Sequence, residues 1–221
     1  MPVSFKHEGI VELFRHRPEL AAKLLSDALH VELPAYTEAR VESGDLTEAM
    51  AVELRADLIV LLYNDRPVLV IIVEVQLDAD GDKRFSWPHY VAAARSRFRC
   101  DSCLLVVTPS EAVATWAGRP VELGPGFRFE PFVLGPDAVP IVTDPAVATG
   151  MPELAVLSAT AHGHDPKDGA KIALAAIVAA AGLPQDLAAL YYDLITVSLN
   201  DAARRALEEL MSQGNYQYQS D

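Results

Sequence analysis

Apolar residues recur at three- and four-residue spacing from Phe5 to about His30, where Ile10, Leu13, Phe14, Leu20, Leu24 and Leu25 mark a helical pattern. Pro18 interrupts this stretch and suits an early position in a second helix; Leu33-Pro34 ends it. Residues 35–55 are mixed and acidic, with a turn at Ser43-Gly44-Asp45 and no assignable period. Two β-rich runs follow, ADLIVLLY and PVLVIIVEVQL, separated by Asn64-Asp65-Arg66. They predict a β-hairpin, and their near-continuous apolar character predicts burial on both faces beneath covering helices. After a polar break from Asp78 to Asp82, Arg84–Arg99 reads as a helix with Pro88 near its first turn. Cys103–Thr108 reads as a buried strand and residues 109–117 as a short helix. Residues 118–145 are rich in Gly and Pro, with strand-like pieces around Phe127–Leu134 and Val139–Val142. From Met151 the chain is helical in four segments. Gly182 and Pro184 divide two of them, and Asn200 or Asp201 caps the last. The order predicts an α/β region over residues 1–148 and an appended helical region over 149–221, whose Ala- and Leu-rich helices bury a shared core or a subunit interface.

Composition narrows the class. A chain of 221 residues that is 51% hydrophobic can bury a core and is not a disordered polymer. Two cysteines cannot make a disulfide framework. The first twenty residues carry charges throughout and lack a signal-peptide core. Apolar runs stay well short of the roughly 20 residues of a membrane span. The expectation is a soluble cytoplasmic protein with no membrane partner. A formal charge of −13 argues against broad, non-specific binding to phosphate backbones. It leaves room for a local basic strip, or for a metal ion that inverts the local field.

The hairpin carries the candidate chemistry. With its turn centred between Asp65 and Arg66, Asp57 lies opposite Glu74, and Gln76 shares the face of Glu74. Directly opposed side chains have Cβ atoms about 4.5–5.5 Å apart, so two carboxylates there repel within an apolar sheet. A raised pKa, a nearby arginine or a divalent cation offsets that cost. Mg²⁺ suits such a site, because it accepts one or two carboxylates and keeps waters beside a phosphate. A second reading stays open: Asp57 caps its strand while Glu74 emerges at the sheet edge, neutralised by Arg55 or Arg84. A one-residue slip would place the two acids on opposite faces.

An acid on one strand, then acid-x-(Lys or substitute) on the next, resembles the PD-(D/E)xK nuclease superfamily. The matching residues are Asp57 and Glu74-Val75-Gln76. The chain looks most like the branch of recombination-promoting and transposase-associated nucleases, which accepts glutamine at the lysine position. That branch opens with a His-acid pair and a Phe-Arg step, matched by His7-Glu8 and Phe14-Arg15. It carries an Arg and a Tyr on the following helix, matched by Arg84 and Tyr90. The resemblance covers about residues 5–110 and implies a restriction-endonuclease-like α/β core of helix, hairpin in a mixed sheet, helix and strand. It implies Mg²⁺- or Mn²⁺-dependent hydrolysis of DNA phosphodiesters, with Asp57, Glu74 and the Val75 carbonyl as metal ligands and Glu8 completing the shell. The ion would activate water and stabilise charge on the phosphate. Gln76 departs from the lysine pattern: it orients water but supplies no charge and no general base. Glu8 also fits a solvated helical stripe with Glu12 and Arg15 or His16.

From Lys83 to Arg99 there are five basic residues (Lys83, Arg84, Arg95, Arg97 and Arg99) and no acidic one. Lys83 and Arg84 are candidates to hold a phosphate, with Trp87, His89 and Tyr90 stacking on a base. Alternatively, Arg95, Arg97 and Arg99 balance a helix C-terminus. Cys100-Asp101-Ser102-Cys103 precedes a strand, unlike a redox motif; it reads as a buried Cys103 with an incidental Cys100, or as half of a zinc site with His162 and His164. No G-x-S-x-G and no phosphate-binding Gly loop occurs. The sequence thus points to a metal-dependent DNA endonuclease linked to mobile elements or defence, with a homodimer favoured by double-strand cleavage. The alternative is an inactive nuclease-fold module that binds a protein or nucleic acid.

Overall fold

The computed structural model describes residues 56–213 and, ahead of them, residues 17, 19–27, 30, 33, 35, 37–39 and 41. Glu8 and most of the opening helical pattern lie outside the described residues, as does Arg55. The described residues fall into two compact units. The first holds helix α1 (Glu19–Asp27) and the hairpin of β4 (Val121–Gly124) and β5 (Phe127–Phe129). Gly126 takes φ +74 in that hairpin's turn, where a side chain is disfavoured.

The second unit is mixed α/β. Its sheet has the order β1-β2-β3-β6, formed by Leu58–Asn64, Arg66–Val75, Asp101–Val107 and Phe132–Leu134. β1 runs antiparallel to β2, and β2, β3 and β6 are mutually parallel. Helix α2 (Lys83–Phe98) makes the crossover from β2 to β3, as a parallel pair requires. The hairpin forms as expected, but its turn centres on Asp65, which takes φ +60. Asn64 pairs with Arg66 and Tyr63 with Pro67, whereas Leu62 pairs with Leu69, so Val68 is an extra residue in a β-bulge. Past the bulge, Leu58 faces Val73, which restores the register that puts Asp57 opposite Glu74.

Full burial holds for one face of the central strands, which corrects the expectation of burial on both. Val70, Ile72, Leu104 and Val106 share that face and are at most 1% exposed, while Ile71, Val73, Cys103 and Leu105 on the opposite face are half-buried. β1 corrects the expectation: six of its seven positions are exposed, because it is the edge strand. Phe127–Leu134 divides between two sheets because Pro131 offers no N–H to continue a ladder. Val139–Val142 is not a strand; the Val142 N–H donates to the Ser158 hydroxyl (2.9 Å) instead. Pro88 lies inside α2, beyond its first turn, since the helix already begins at Lys83. Trp87 on this helix is fully buried against Trp116 of α3 (Glu111–Ala117), with ring centroids 5.5 Å apart.

The remaining helices are α4 (Pro145–Gly150), α5 (Pro152–His162), α6 (Gly169–Ala180), α7 (Gln185–Val197) and α8 (Asp201–Gln213). Pro145 and Pro152 open α4 and α5, where a missing N–H costs nothing. The Asn200 side chain accepts from the Ala203 N–H (2.8 Å) and caps α8. Nine of the twelve residues of α6 are buried, and its alanines let neighbouring helices approach closely. Ile172, Ile195, Leu199 and Leu207 fill the core they share. These helices belong to the same compact unit as the four-stranded sheet. Among the described residues, no helix is long and apolar enough to cross a membrane.

Candidate metal centre at the ends of the central strands

Glu74 is the penultimate residue of β2 and is 0% exposed. Asp57 immediately precedes β1 and is exposed. The two are joined across the ladder: the Asp57 N–H donates to Glu74 Oε1 (3.4 Å), and the Val75 N–H donates to Asp57 Oδ2 (2.8 Å). Each carboxylate is therefore held by the backbone of the opposite strand. Lys83 completes the group. Its Nζ donates to Glu74 Oε2 at 2.6 Å, with its side chain 25% exposed. Burial pushes the Lys83 ammonium down, but the hydrogen bond and charge of Glu74, joined by Tyr90 and Asp57, outweigh it and hold its pKa above the ordinary value.

Neutralisation of Glu74 thus comes from Lys83, and not from a sheet-edge contact with Arg84. Arg84 turns the other way: its guanidinium donates to the carbonyls of Trp116 (3.3 Å), Arg119 (3.1 Å) and Pro120 (2.6 Å), closing the C-terminal end of α3. Gln76 is 9% exposed, and its Nε2 donates to the Asp78 carbonyl (2.7 Å). Its backbone N–H continues the pairing with β3 through the Val107 carbonyl (2.9 Å). Gln76 therefore anchors the loop that returns the chain to Lys83. Tyr90 is half-buried on α2. Trp87 is fully buried and has no face to offer a base, which corrects the stacking expectation for that residue.

The basic strip is not one patch. Lys83 and Arg84 begin α2, while Arg95 and Arg97 occupy its last turn and Arg99 caps it at φ +57. At 1.5 Å per residue the two groups stand roughly 20 Å apart along the helix. The exposed arginines lie where cations favour a helix C-terminus. Cys100 and Cys103 are both half-buried free thiols, and burial pushes the Cys103 thiol up. His162 Nε2 is paired with the Val139 carbonyl (2.8 Å).

The donor set fits a hard divalent cation that takes few protein ligands. Asp57 keeps one carboxylate oxygen without a bond to the described residues, and both acids sit where parallel strands end, the usual location of ligand sites in such sheets. Among the described residues, no group of three or more His, Cys, Asp or Glu forms a fuller cage. Sequence reading found the acid pair but missed the Lys83–Glu74 contact, whose only signal was a short polar loop leading straight into a helix. No protein-family model, no curated protein and no solved structure matches the chain.

Proposed function

We propose that this chain is a Mg²⁺- or Mn²⁺-dependent DNA endonuclease with a restriction-endonuclease-like core. The observation that supports the reading is the reciprocal backbone clamp that holds Asp57 and Glu74 together beside a lysine ammonium. Asp57 and Glu74 would hold the ion, which when bound supplies Lewis-acid activation of water and charge stabilisation at the phosphorus. Glu74, buried and fixed at both oxygens, sets the position of the pair. Lys83 places at the acid pair the positive charge that Gln76 lacks, in reach of a phosphate approaching the strand ends. Gln76 positions the loop, and Arg84 fixes the start of α2 against α3.

The second reading is an inactive nuclease-fold module. What favours it is that Lys83 already neutralises Glu74 without any ion. Supercoiled-plasmid cleavage with Mg²⁺ or Mn²⁺ separates the two. The endonuclease loses nicking in both Asp57→Ala and Glu74→Ala; activity that survives both substitutions removes these acids from the mechanism. A wild type with no cleavage and no metal-dependent rise in Tm is the inactive module.

A further inference from the structure

Lys83 is fixed at its base and held at its tip by one bond. Its N–H donates to the Asp80 carbonyl (3.2 Å) where α2 begins. Its ammonium reaches back to Glu74 Oε2 at 2.6 Å, from a side chain that is 25% exposed. Glu74 itself is fully buried, and its other oxygen accepts the Asp57 N–H (3.4 Å). Oε2 is therefore the Glu74 oxygen held by a side chain and not by the backbone, and that side chain is a cation.

The charges of this corner do not balance. Two carboxylates share one ammonium, so one negative charge is left over beside the exposed Asp57. A dication in place of the ammonium would neutralise both acids at once. An ammonium and a dication cannot both sit against Oε2, because like charges at contact distance repel strongly where water is scarce. Lysine suits an exchange of this kind, being a compact charge on a flexible four-carbon stem. Once released, its ammonium has acidic company at the surface, since Asp78, Asp80 and Asp82 are all exposed in the loop that leads into it.

We propose that Lys83 is a tethered stand-in for the metal ion. It occupies Glu74 Oε2 in the metal-free protein and leaves that oxygen when the ion binds, so it sets the affinity of the centre and keeps it closed at low metal concentration. The proposal rests on Asp57 and Glu74 as metal ligands, and adds that lysine and ion exclude each other at one oxygen.

Two measurements on the full chain test it, neither of them an activity. In calorimetric titration with Mn²⁺, Lys83→Met binds the ion about tenfold or more tightly than wild type, and adding Asp57→Ala abolishes that binding. In brief acetylation of the wild type followed by mass spectrometry, Mn²⁺ speeds labelling of Lys83 and leaves Lys171, whose side chain is 65% exposed, unchanged. The second measurement decides alone if a circular-dichroism melt shows that Lys83→Met does not fold. Equal or weaker Mn²⁺ binding in a folded Lys83→Met overturns the exchange and leaves the metal ligands standing. So does Lys83 labelling that stays constant while Mn²⁺ fills an Asp57-dependent site. No Asp57-dependent binding of Mn²⁺ in either protein overturns both the exchange and the metal reading beneath it.

Discussion

Lys83 owes its importance to where Glu74 is, not to its own exposure. A carboxylate with no solvent contact needs a counter-charge or a proton, and removing one partner of such a pair is costly. Lys83→Met should therefore destabilise the metal-free protein by about 3 kcal/mol. Gln76→Ala removes a single neutral hydrogen bond and should cost about 1 kcal/mol. Urea denaturation of both variants checks the difference; equal losses would mean that the ion pair does not govern this corner. The acid pair itself was legible in the sequence, because a short turn and a two-residue period place Asp57 against Glu74. The lysine was not, because its position depends on the path of residues 77–82, and a polar loop has no period from which to read a direction. Gln76 was misleading for the same reason: its motif position suggests a role at the phosphate, while its amide reaches the Asp78 carbonyl.

Element by element, the helix after β2, those beyond Met151 and the central strands followed from their periods, whereas the short helix α4 and the contacts between elements did not. Gly163 and Gly169 show why. A Cβ on Gly169 would lie 2.5 Å from the Gly163 carbonyl oxygen, so the end of α5 and the start of α6 meet without room for a methyl group. Gly169→Ala should lower stability by about 1–3 kcal/mol, an overpacking cost measurable as a drop in Tm. Between these glycines, Asp165 accepts the N–H groups of Lys167 and Asp168, both at 2.8 Å. The Asp168 and Lys167 N–H groups hold its carboxyl below the ordinary 3.8, against a small opposing effect of burial. Its contribution is thus present above 3.8 and is lost as pH falls through the lower folded value. In melts across pH, the difference between wild type and Asp165→Ala should be full at neutral pH and shrink on the acid side. A difference that grew toward low pH would contradict this. The edge position of β1 was equally hidden, since a run of apolar residues reads the same whether its strand has one neighbour or two.

At the level of the whole molecule, charge governs how DNA could be held. The chain carries −13, and of its basic strip only Lys83 and Arg84 lie at the acid end of α2, both already engaged. DNA binding in the presence of Mg²⁺ should accordingly show a shallow salt dependence, with a slope of log K against log salt smaller in magnitude than about 3. Replacing Arg95, Arg97 and Arg99 together with Ala should leave plasmid nicking within about twofold, since these side chains sit roughly 20 Å along the helix from Lys83, the residue that contacts Glu74. Filter binding across salt and a nicking assay check the two statements; a steep slope, or loss of nicking in the triple variant, would relocate the nucleic-acid surface to that end.

Val68 gives the hairpin an unusual tolerance. In most strands the loss of one codon turns every later side chain to the wrong side. Here the residue is left over on the β1 side, and the pairing with β3 starts only at Leu69. An in-frame deletion at position 68 would close the ladder into a regular one, with Glu74 still facing Asp57 and Lys83. A deletion at Val70 has no such slack and would set the two neighbours of β2 against each other. Among descendants of this gene, shortening of the hairpin should therefore be found at the bulge and not along the acid-bearing half.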